Sequence, residues 1–255
     1  MRLNCGMAED LEEAGGKTRL YVAGDLGVGM AVALDEGQAH YLLHVLRAKT
    51  GNRLLLFNGR DGEWLAEITA ASKRGVTVTG LKQTKAQAAG PDIWLAFAPV
   101  KKTPADYLVQ KAAELGASLL QPVFTRRTIV SRINQERMAA NAIEAAEQSG
   151  RLSVPQIREG VTFDKLLADW PKERRLLFCD EGGEAKAMTQ AARESRGAPS
   201  AILTGPEGGF DPAERTQLRA LPFVVPVTLG PRILRADTAA LAALAIWQSV
   251  CGDWV

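Results

Sequence analysis

Residues 202–212 read ILTGPEGGFDP, and this stretch decides how the second half of the chain folds. An apolar run stops at Thr204, three glycines, two prolines and one glutamate follow, and a polar helix start begins at Asp211. Glycine allows positive φ and close approach of the backbone to a ligand, while proline stiffens the chain. The stretch therefore predicts a buried strand, a loop of bare backbone and a capped helix.

The same alternation extends through the chain beyond Asp92. Continuous apolar strands alternate with helices, one of which is closed by Gly116 and another of which runs from Asn134 to about Ser149. The predicted strands are IWLAFAPV, SLLQPVFT, RRLLFCD, SAILTG and FVVPVTLG. Continuous apolar strands separated by helices predict an α/β domain with a parallel sheet that is buried on both faces. The last helix, TAALAALAIWQSV, is apolar nearly all round and must be buried on more than one side.

Residues 19–85 have a different pattern, in which five short strands are separated by turn signals such as NGRDG. One helix interrupts them, with Asp35 as its cap and with Ala39, Leu42, Leu43 and Leu46 at helical spacing. We predict a small β-barrel with a helix across one end. Residues 83–92, QTKAQAAGPD, are polar and small, which predicts a linker or domain boundary.

Three strands of the α/β domain end in loops of unusual composition: CDEGGE (179–184), TGPEGGF (204–210) and LGPRILR (229–235). The carboxyl ends of parallel strands meet at one edge of the sheet, where open α/β sheets bind ligands. Each loop also has a plainer interpretation: a glycine pair is usually a turn, and Arg232 and Arg235 could pair with Asp237. None of the loops matches GxGxxG or a P-loop, which disfavours both kinds of phosphate site. Together they favour a ligand site.

Composition excludes several classes of protein. The 255 residues are 46% hydrophobic with net charge +2, and residues 17–88 carry ten Lys and Arg against six acids. The longest strongly apolar segment, Ala239–Trp247, is far below the roughly 20 residues of a membrane span, and residues 1–16 resemble a short disordered leader rather than a secretory signal. Cys5, Cys179 and Cys251 lie too far apart for a disulfide framework or a zinc site. A cytoplasmic protein without metal is expected.

Longer motifs identify a family. LTGPEGGFDPAE and LGPRILRADTA resemble the two C-terminal signatures of the ribosomal RNA small subunit uridine N3-methyltransferases of the RsmE family, in the SPOUT superfamily. HYLLHVLRAKTGNRLLLFNG is similar to the N-terminal PUA-like segment of that family, and VQKAAELGA and EAAEQSGRLSVPQI are similar to two further stretches. Apart from the first sixteen residues, the resemblance covers essentially the whole chain.

The resemblance implies an N-terminal PUA-like RNA-binding β-barrel at residues 17–86 and a C-terminal SPOUT α/β methyltransferase domain at 91–255 that contains a trefoil knot. Chain physics alone predicts the opposite, because true knots are essentially absent from globular proteins. The cofactor implied is S-adenosyl-L-methionine, and the implied partners are 16S ribosomal RNA in the small ribosomal subunit and a second copy of the chain, bound through the knotted domain. The implied cofactor-binding residues are Leu203, Thr204, Gly205, Glu207, Gly208, Gly209, Leu229, Gly230, Ile233, Leu234 and Ala239.

The reaction implied is methylation at N3 of a uridine, which needs a proton acceptor and a cation near the base. Arg235 is the candidate for the cationic role. Glu207 is the candidate for accepting the proton or for positioning, and alternatively it only ties loops together through backbone N–H groups. The candidate RNA-binding residues are Arg19, Arg47, Lys49, Arg53, Lys73, Arg74, Arg126 and Arg127. His40 and His44 lie one helical turn apart, and without a third histidine we interpret them as packing or RNA-contact residues.

Two other functions are compatible with part of the pattern. A non-catalytic RNA-binding or ribosome assembly protein could share the fold, and it would be expected to have damaged cofactor loops. A nucleotide-dependent oxidoreductase on a Rossmann sheet would need a glycine fingerprint early in the α/β domain, and IWLAFAPVKKTPAD has none.

Overall fold

A computed structural model of the chain describes residues 18–72, 75–100, 102–180, 182 and 184–254, with only the backbone at 102–104. The chain divides into two compact units. The first holds the residues up to Ala89 together with Ala146–Ser153, and the second holds Gly90–Ala145 together with the chain from Val154 onward.

The first unit is built on a five-stranded sheet in the order β1-β3-β4-β5-β2. Strand β1 pairs with β3 in parallel, and the other neighbours are antiparallel. Leu20, Leu54, Leu56, Ile68 and Val78 are buried in its core. The strands are β1 (Arg19–Tyr21), β2 (Ala31–Ala33), β3 (Arg53–Phe57), β4 (Glu63–Ser72) and β5 (Gly75–Lys85).

The helix of the first unit begins as predicted but ends differently. Asp35 caps α1 (Glu36–His40) in a capping box with Gln38, and the chain continues as one π-helical turn over Tyr41–Val45. A π turn shifts the side chains out of the 3.6-residue period. Ala39 and Leu42 therefore reach the core, whereas Leu46, which was predicted to share their face, is 43% exposed.

The second unit contains an eight-stranded sheet in which every pairing is parallel. The order is β11-β13-β10-β12-β6-β7-β8, with β9 paired to β7. Strand β12 thus lies between β6 and β10 in the sheet, although it follows both of them in the chain. The strands are β6 (Ile93–Phe97), β7 (Leu119–Phe124), β8 (Gln156–Ile157), β9 (Val161–Thr162), β10 (Arg175–Cys179), β11 (Lys186–Ala187), β12 (Ser200–Thr204) and β13 (Val224–Thr228).

Both faces of this sheet are buried, which confirms the prediction from its continuous apolar strands. Successive strand residues point to opposite faces. Leu177 and Ile202 belong to one apolar cluster, whereas Phe178, Ala201 and Leu203 belong to the cluster on the other face. The helices that cover the sheet are α2 (Lys102–Glu114), α3 (Gln135–Ser149), α4 (Phe163–Ala168), α5 (Met188–Glu194), α6 (Pro212–Arg219) and α7 (Ala236–Cys251).

Local capping signals define the helix ends. Gly116 has φ of +85°. Its N–H donates to Ala113 and the N–H of Ala117 donates to Ala112, which is the Schellman pattern. Asp211 caps α6 in a capping box with Glu214, and Pro212 is the first helical residue. The predicted ends of α2 and α6 are therefore confirmed. Within the described residues, no helix combines the length and apolarity that crossing a membrane would require.

Two parts of the sequence prediction were wrong or incomplete. Residues 83–92 were predicted to be a linker or domain boundary, and the two units do divide inside this stretch, between Ala89 and Gly90. Gln83–Lys85, however, belong to β5, and the Thr84 hydroxyl donates to a Glu63 carboxylate oxygen at 3.0 Å. Helix α4 was missed because it has only six residues, although Thr162 accepts a capping hydrogen bond from the N–H of Lys165.

Candidate active site

Three loops meet at the carboxyl edge of the second sheet. Strands β13, β10 and β12 are neighbours, so the turns that follow Cys179, Thr204 and Thr228 lie side by side. They enclose a cavity of about 670 Å³. Volumes of roughly 300–1,000 Å³ are typical of small-molecule and cofactor sites. The lining residues are Arg127, Cys179, Asp180, Thr204–Phe210, Arg215, Val227–Ala236 and Ala239.

Four glycines line the cavity: Gly205, Gly208, Gly209 and Gly230. Gly209 has φ of +67° and Gly230 has φ of +112°, conformations that other residues adopt only under strain. An added Cβ at either position would meet nothing within 4 Å. These two glycines are therefore required by backbone conformation rather than by lack of space. The N–H of Gly209 donates to the Pro206 carbonyl at 2.9 Å and closes the turn that contains Glu207 and Gly208.

Helix α6 holds the loop that follows β12. The Glu214 side chain, only 3% exposed, accepts hydrogen bonds from the backbone N–H of Asp211 at 3.0 Å and of Arg126 at 2.9 Å. The Arg127 guanidinium donates to the Gly208 carbonyl at 3.0 Å. The loop after β7 and the loop after β12 are thus fixed to each other by one buried carboxylate and one arginine.

Asp180, the residue that follows β10, lies between two arginines of α6. Its side chain is 1% exposed, and it accepts from the Arg215 Nε at 2.9 Å and from the Arg219 Nη2 at 2.6 Å. The Gly182 carbonyl accepts from both guanidinium groups, with 2.9 Å to Arg219. Arg215 and Arg219 are one helical turn apart and so reach the same carboxylate.

The two predicted catalytic residues both line the cavity. Arg235 is exposed and precedes α7, where its side chain makes no capping bond. Among the described residues none hydrogen-bonds the exposed Glu207 carboxylate. Glu214 and Asp211 perform the loop-tying considered for Glu207. Asp237 accepts from Thr238 and, within the described residues, forms no ion pair with Arg232 or Arg235.

Ten of the eleven predicted cofactor residues line the cavity, and Leu203 is the exception. Leu203 is completely buried in the apolar cluster on one face of the sheet. Residues that line the cavity but were not predicted include Asp180 and Arg215. The spacing of Arg215 and Arg219 in the sequence indicates that they share one face of a helix. It does not indicate that this face contacts the Asp180 carboxylate.

Cys179 is one of the residues that line the cavity. Burial raises the pKa of this thiol to about 12. The thiol is therefore protonated near neutral pH and is a poor nucleophile or metal ligand. No group of three or more potential metal ligands occurs among the residues that the structure describes.

The basic residues predicted to contact RNA differ in their surroundings. Arg19 is largely buried, and its guanidinium donates to Glu63 and to the carbonyls of Ala146, Glu147 and Arg151, so it stabilises the first unit rather than facing solvent.

The other predicted basic positions are mostly exposed. Arg47 and Lys49 are free of ion pairs among the described residues, and Arg53 pairs with Glu67 at 3.4 Å. Arg126 pairs with Asp211 at 3.3 Å. Lys73 and Arg74 lie outside the described residues. His40 and His44 are both exposed, and the centroids of their rings lie 4.8 Å apart.

Comparison with known proteins gives consistent matches. A family described as RNA methyltransferase domain matches residues 88–248, and one described as RNA methyltransferase PUA domain matches residues 34–79. A relative from Rickettsia conorii named Ribosomal RNA small subunit methyltransferase E is 32% identical, over 89% of this chain and 93% of the relative. A solved structure of Ribosomal RNA small subunit methyltransferase E from Neisseria gonorrhoeae, bound to S-adenosyl methionine, is 30% identical with a TM-score of 0.83, over 93% and 99% of the two chains.

Proposed function

This chain belongs to the RNA methyltransferase family that includes the ribosomal RNA small subunit methyltransferases E, and from that membership we propose that it methylates N3 of a uridine in 16S ribosomal RNA. The chain is an S-adenosylmethionine-dependent ribosomal RNA methyltransferase. The observation that carries the assignment to this site is the glycine-rich cavity at the ends of β10, β12 and β13.

The residues of the cavity fit an adenosyl cofactor. Peptide groups of residues 204–210 and 229–234 offer donors and acceptors to the edges of a flat heterocycle, and Leu229 and Leu234 offer apolar cover. We propose that these groups, with Ala239, hold the cofactor. When bound, S-adenosylmethionine supplies a methyl group on a positively charged sulfur. In the proposed reaction the methyl group passes to N3 of uridine, the N3 proton leaves, and the demethylated thioether remains.

The protein supplies the groups that act on the base. The Arg235 guanidinium would face O2 or O4 of the uridine and stabilise the negative charge that develops there. The Glu207 carboxylate is exposed on the cavity wall, and we propose that it accepts the N3 proton. N3 lies on the Watson–Crick edge, so the uridine must be unpaired or extruded when it reacts.

Basic residues of each unit are proposed to bind the RNA backbone. In the first unit these are Arg47, Lys49 and Arg53, with Lys73 and Arg74. In the second unit they are Arg126 and Arg127, of which Arg127 lines the cavity. Arginine and lysine contacts to phosphate set affinity without reading sequence, and they weaken as salt concentration rises.

Finer features of the fold are part of the same proposal. We propose domain boundaries of 17–86 and 91–255, closure of the first sheet as a PUA-like barrel and a trefoil knot near the C-terminus. A homodimer through the second domain is supported by α7, on which Leu241, Ile246 and Val250 remain partly exposed in the single chain. A cytoplasmic location follows from the ribosomal substrate.

The assignment is tested by mass spectrometry of 16S ribosomal RNA from a strain that lacks this protein, before and after the gene is restored. A uridine that loses and regains one methyl group at N3 supports the proposal and identifies the base. Calorimetry with S-adenosylmethionine is the second measurement. Unchanged RNA together with no heat of binding would contradict the proposed activity and favour a non-catalytic RNA-binding protein.

A further inference from the structure

The cluster around Asp180 carries more positive charge than its own carboxylate neutralises. Two guanidinium groups, those of Arg215 and Arg219, converge on this one nearly buried carboxylate. Among the described residues that line the cavity, four are arginines, against the carboxylates of Asp180 and Glu207. Excess positive charge at a partly enclosed site favours an anionic group of a ligand, because the low local dielectric strengthens the attraction.

The two arginines of the cluster are not equivalent. Arg215 lines the cavity, whereas Arg219 is outside its wall and donates also to the Glu184 carbonyl at 3.2 Å. The Nε and Nη2 atoms of Arg215 are engaged by Asp180 and Gly182, and within the described part of the chain Nη1 has no hydrogen-bond partner. Asp180 thus holds the Arg215 guanidinium in place with Nη1 available as a donor.

We propose that Arg215 binds the carboxylate of the methionyl part of the cofactor. This inference rests on the proposed function, which places S-adenosylmethionine in the cavity. The methionyl carboxylate is the anionic group of that cofactor, and the free Nη1 of Arg215 can donate a charge-assisted hydrogen bond to a carboxylate oxygen. The orientation of Arg215 is fixed by Asp180 before binding, so little side-chain entropy is lost when the ligand arrives. Arg219 is then a positioning residue, which acts through Asp180 and the loop of Gly182.

Two ligands, one with and one without the carboxylate, can distinguish a binding role of Arg215 from a purely structural one. If both arginines only hold the loop after β10, removing either one weakens every ligand of the cavity alike. If Arg215 binds the carboxylate, its removal weakens only ligands that carry that group. S-adenosylhomocysteine carries the group, and 5′-methylthioadenosine keeps the adenosine and thioether but lacks the amino acid part.

The test is calorimetric titration of both ligands into the full-length wild type, Arg215→Met and Arg219→Met. For Arg215→Met we expect S-adenosylhomocysteine to bind about 10- to 100-fold more weakly, the range of a charge-assisted hydrogen bond, with methylthioadenosine within about 3-fold of wild type. Arg219→Met, the matched control, should change the affinities of the two ligands by the same factor. If Arg215→Met lowers the affinity for both ligands equally, or for neither, the proposal is overturned.

A second measurement keeps the test independent of how the variant folds. Wild-type protein should bind decarboxylated S-adenosylmethionine more weakly than S-adenosylmethionine by a similar factor. Arg215→Met should lose this preference for the ligand with the carboxylate, and Arg215→Lys should keep part of it. Equal wild-type affinities for the two would refute the carboxylate contact while leaving the methyltransferase assignment intact. Wild-type protein that binds none of these ligands would refute the assignment itself. A rise in KM for RNA alone in Arg215→Met would place a phosphate, not the cofactor, at Arg215.

Discussion

The side chain of Gln248 donates a hydrogen bond of 2.7 Å from Nε2 to the carbonyl oxygen of Leu115, and so joins α7 to the end of α2. Gln248 is fully buried, and its Oε1 accepts from the backbone N–H of Asp253 at 3.1 Å. The Leu115 carbonyl belongs to the last turn of a helix, where backbone acceptors have no partner within the helix. This one amide therefore satisfies a helix end and the turn after α7 together.

Gln248→Leu should lower the free energy of unfolding by about 1–3 kcal/mol, because a buried carbonyl and a backbone N–H lose their partner. Urea denaturation measures the change. Gln217→Leu, on the solvent face of α6, is the control and should stay within about 0.5 kcal/mol of wild type. An equal effect of the two substitutions would show that the buried amide contributes nothing specific.

Glu214→Ala should loosen the loops that line the cavity. It removes the acceptor for the backbone N–H groups of Arg126 and Asp211, so we expect a loss of about 1–3 kcal/mol in stability and weaker binding of S-adenosylmethionine. Thermal unfolding with and without the ligand measures both effects, since ligand binding raises the midpoint. If the ligand-induced shift stays at its wild-type size, Glu214 does not support the site.

Arg235→Ala should reduce kcat by about 10²–10³, the usual effect of removing one donor from a developing charge, with a smaller change in the affinity for cofactor. Methyl transfer to small-subunit RNA, followed in single turnover, measures the rate. The control is Arg193→Ala, which removes the same charge from an exposed position of α5 that is not among the cavity-lining residues, and it should retain the wild-type rate. A normal rate in Arg235→Ala would exclude the cationic role.

Glu63 should make the first unit sensitive to acid. Burial acts to raise the pKa of its carboxyl, but the hydrogen bond and charge of Arg19, helped by Lys85 and Thr84, hold that pKa below the ordinary value of 4.5. A lowered pKa means that the ion pair stabilises the fold above the unfolded-state value, and that this stability is lost as pH falls through the folded-state value.

The stability of wild type should therefore fall as pH drops below about 4.5, and Glu63→Gln should flatten that fall, although it costs stability near neutral pH. Urea denaturation across this range measures the slope. Glu67→Gln, at a partly exposed ion pair on the same strand, should keep the wild-type slope. A wild-type slope in Glu63→Gln would assign the acid sensitivity to other groups.

Cys179 should resist alkylation in the folded protein. With burial raising its pKa to about 12, almost no thiolate exists at about pH 8, and the thiolate is the reactive form. Peptide mapping after treatment with iodoacetamide should find Cys179 unmodified in native protein and modified in urea. Rapid labelling of the native protein at this position would contradict the raised pKa of the Cys179 thiol.

The sequence alone determined the features that depend on neighbours along the chain. Asp35, Gly116 and Asp211 mark helix ends because capping hydrogen bonds join residues only two to five positions apart. Apolar runs such as Ile202 and its neighbours predicted strands buried on both faces, because the pattern of burial follows directly from strand geometry. The loop compositions also predicted correctly that one sheet edge would gather most of the candidate site.

Only the tertiary structure decided which side chains meet at that edge. Asp180 is 35 and 39 residues from its two arginines, and Glu214 is 88 residues from the Arg126 N–H that it accepts. These pairs form because β12 is inserted between β6 and β10 and because β13 lies beyond β10, and no local pattern specifies that order. Strand order depends on the packing of the whole sheet. Apolar side chains from distant segments must be buried together, and each contributes only a small part of the free energy that selects the order.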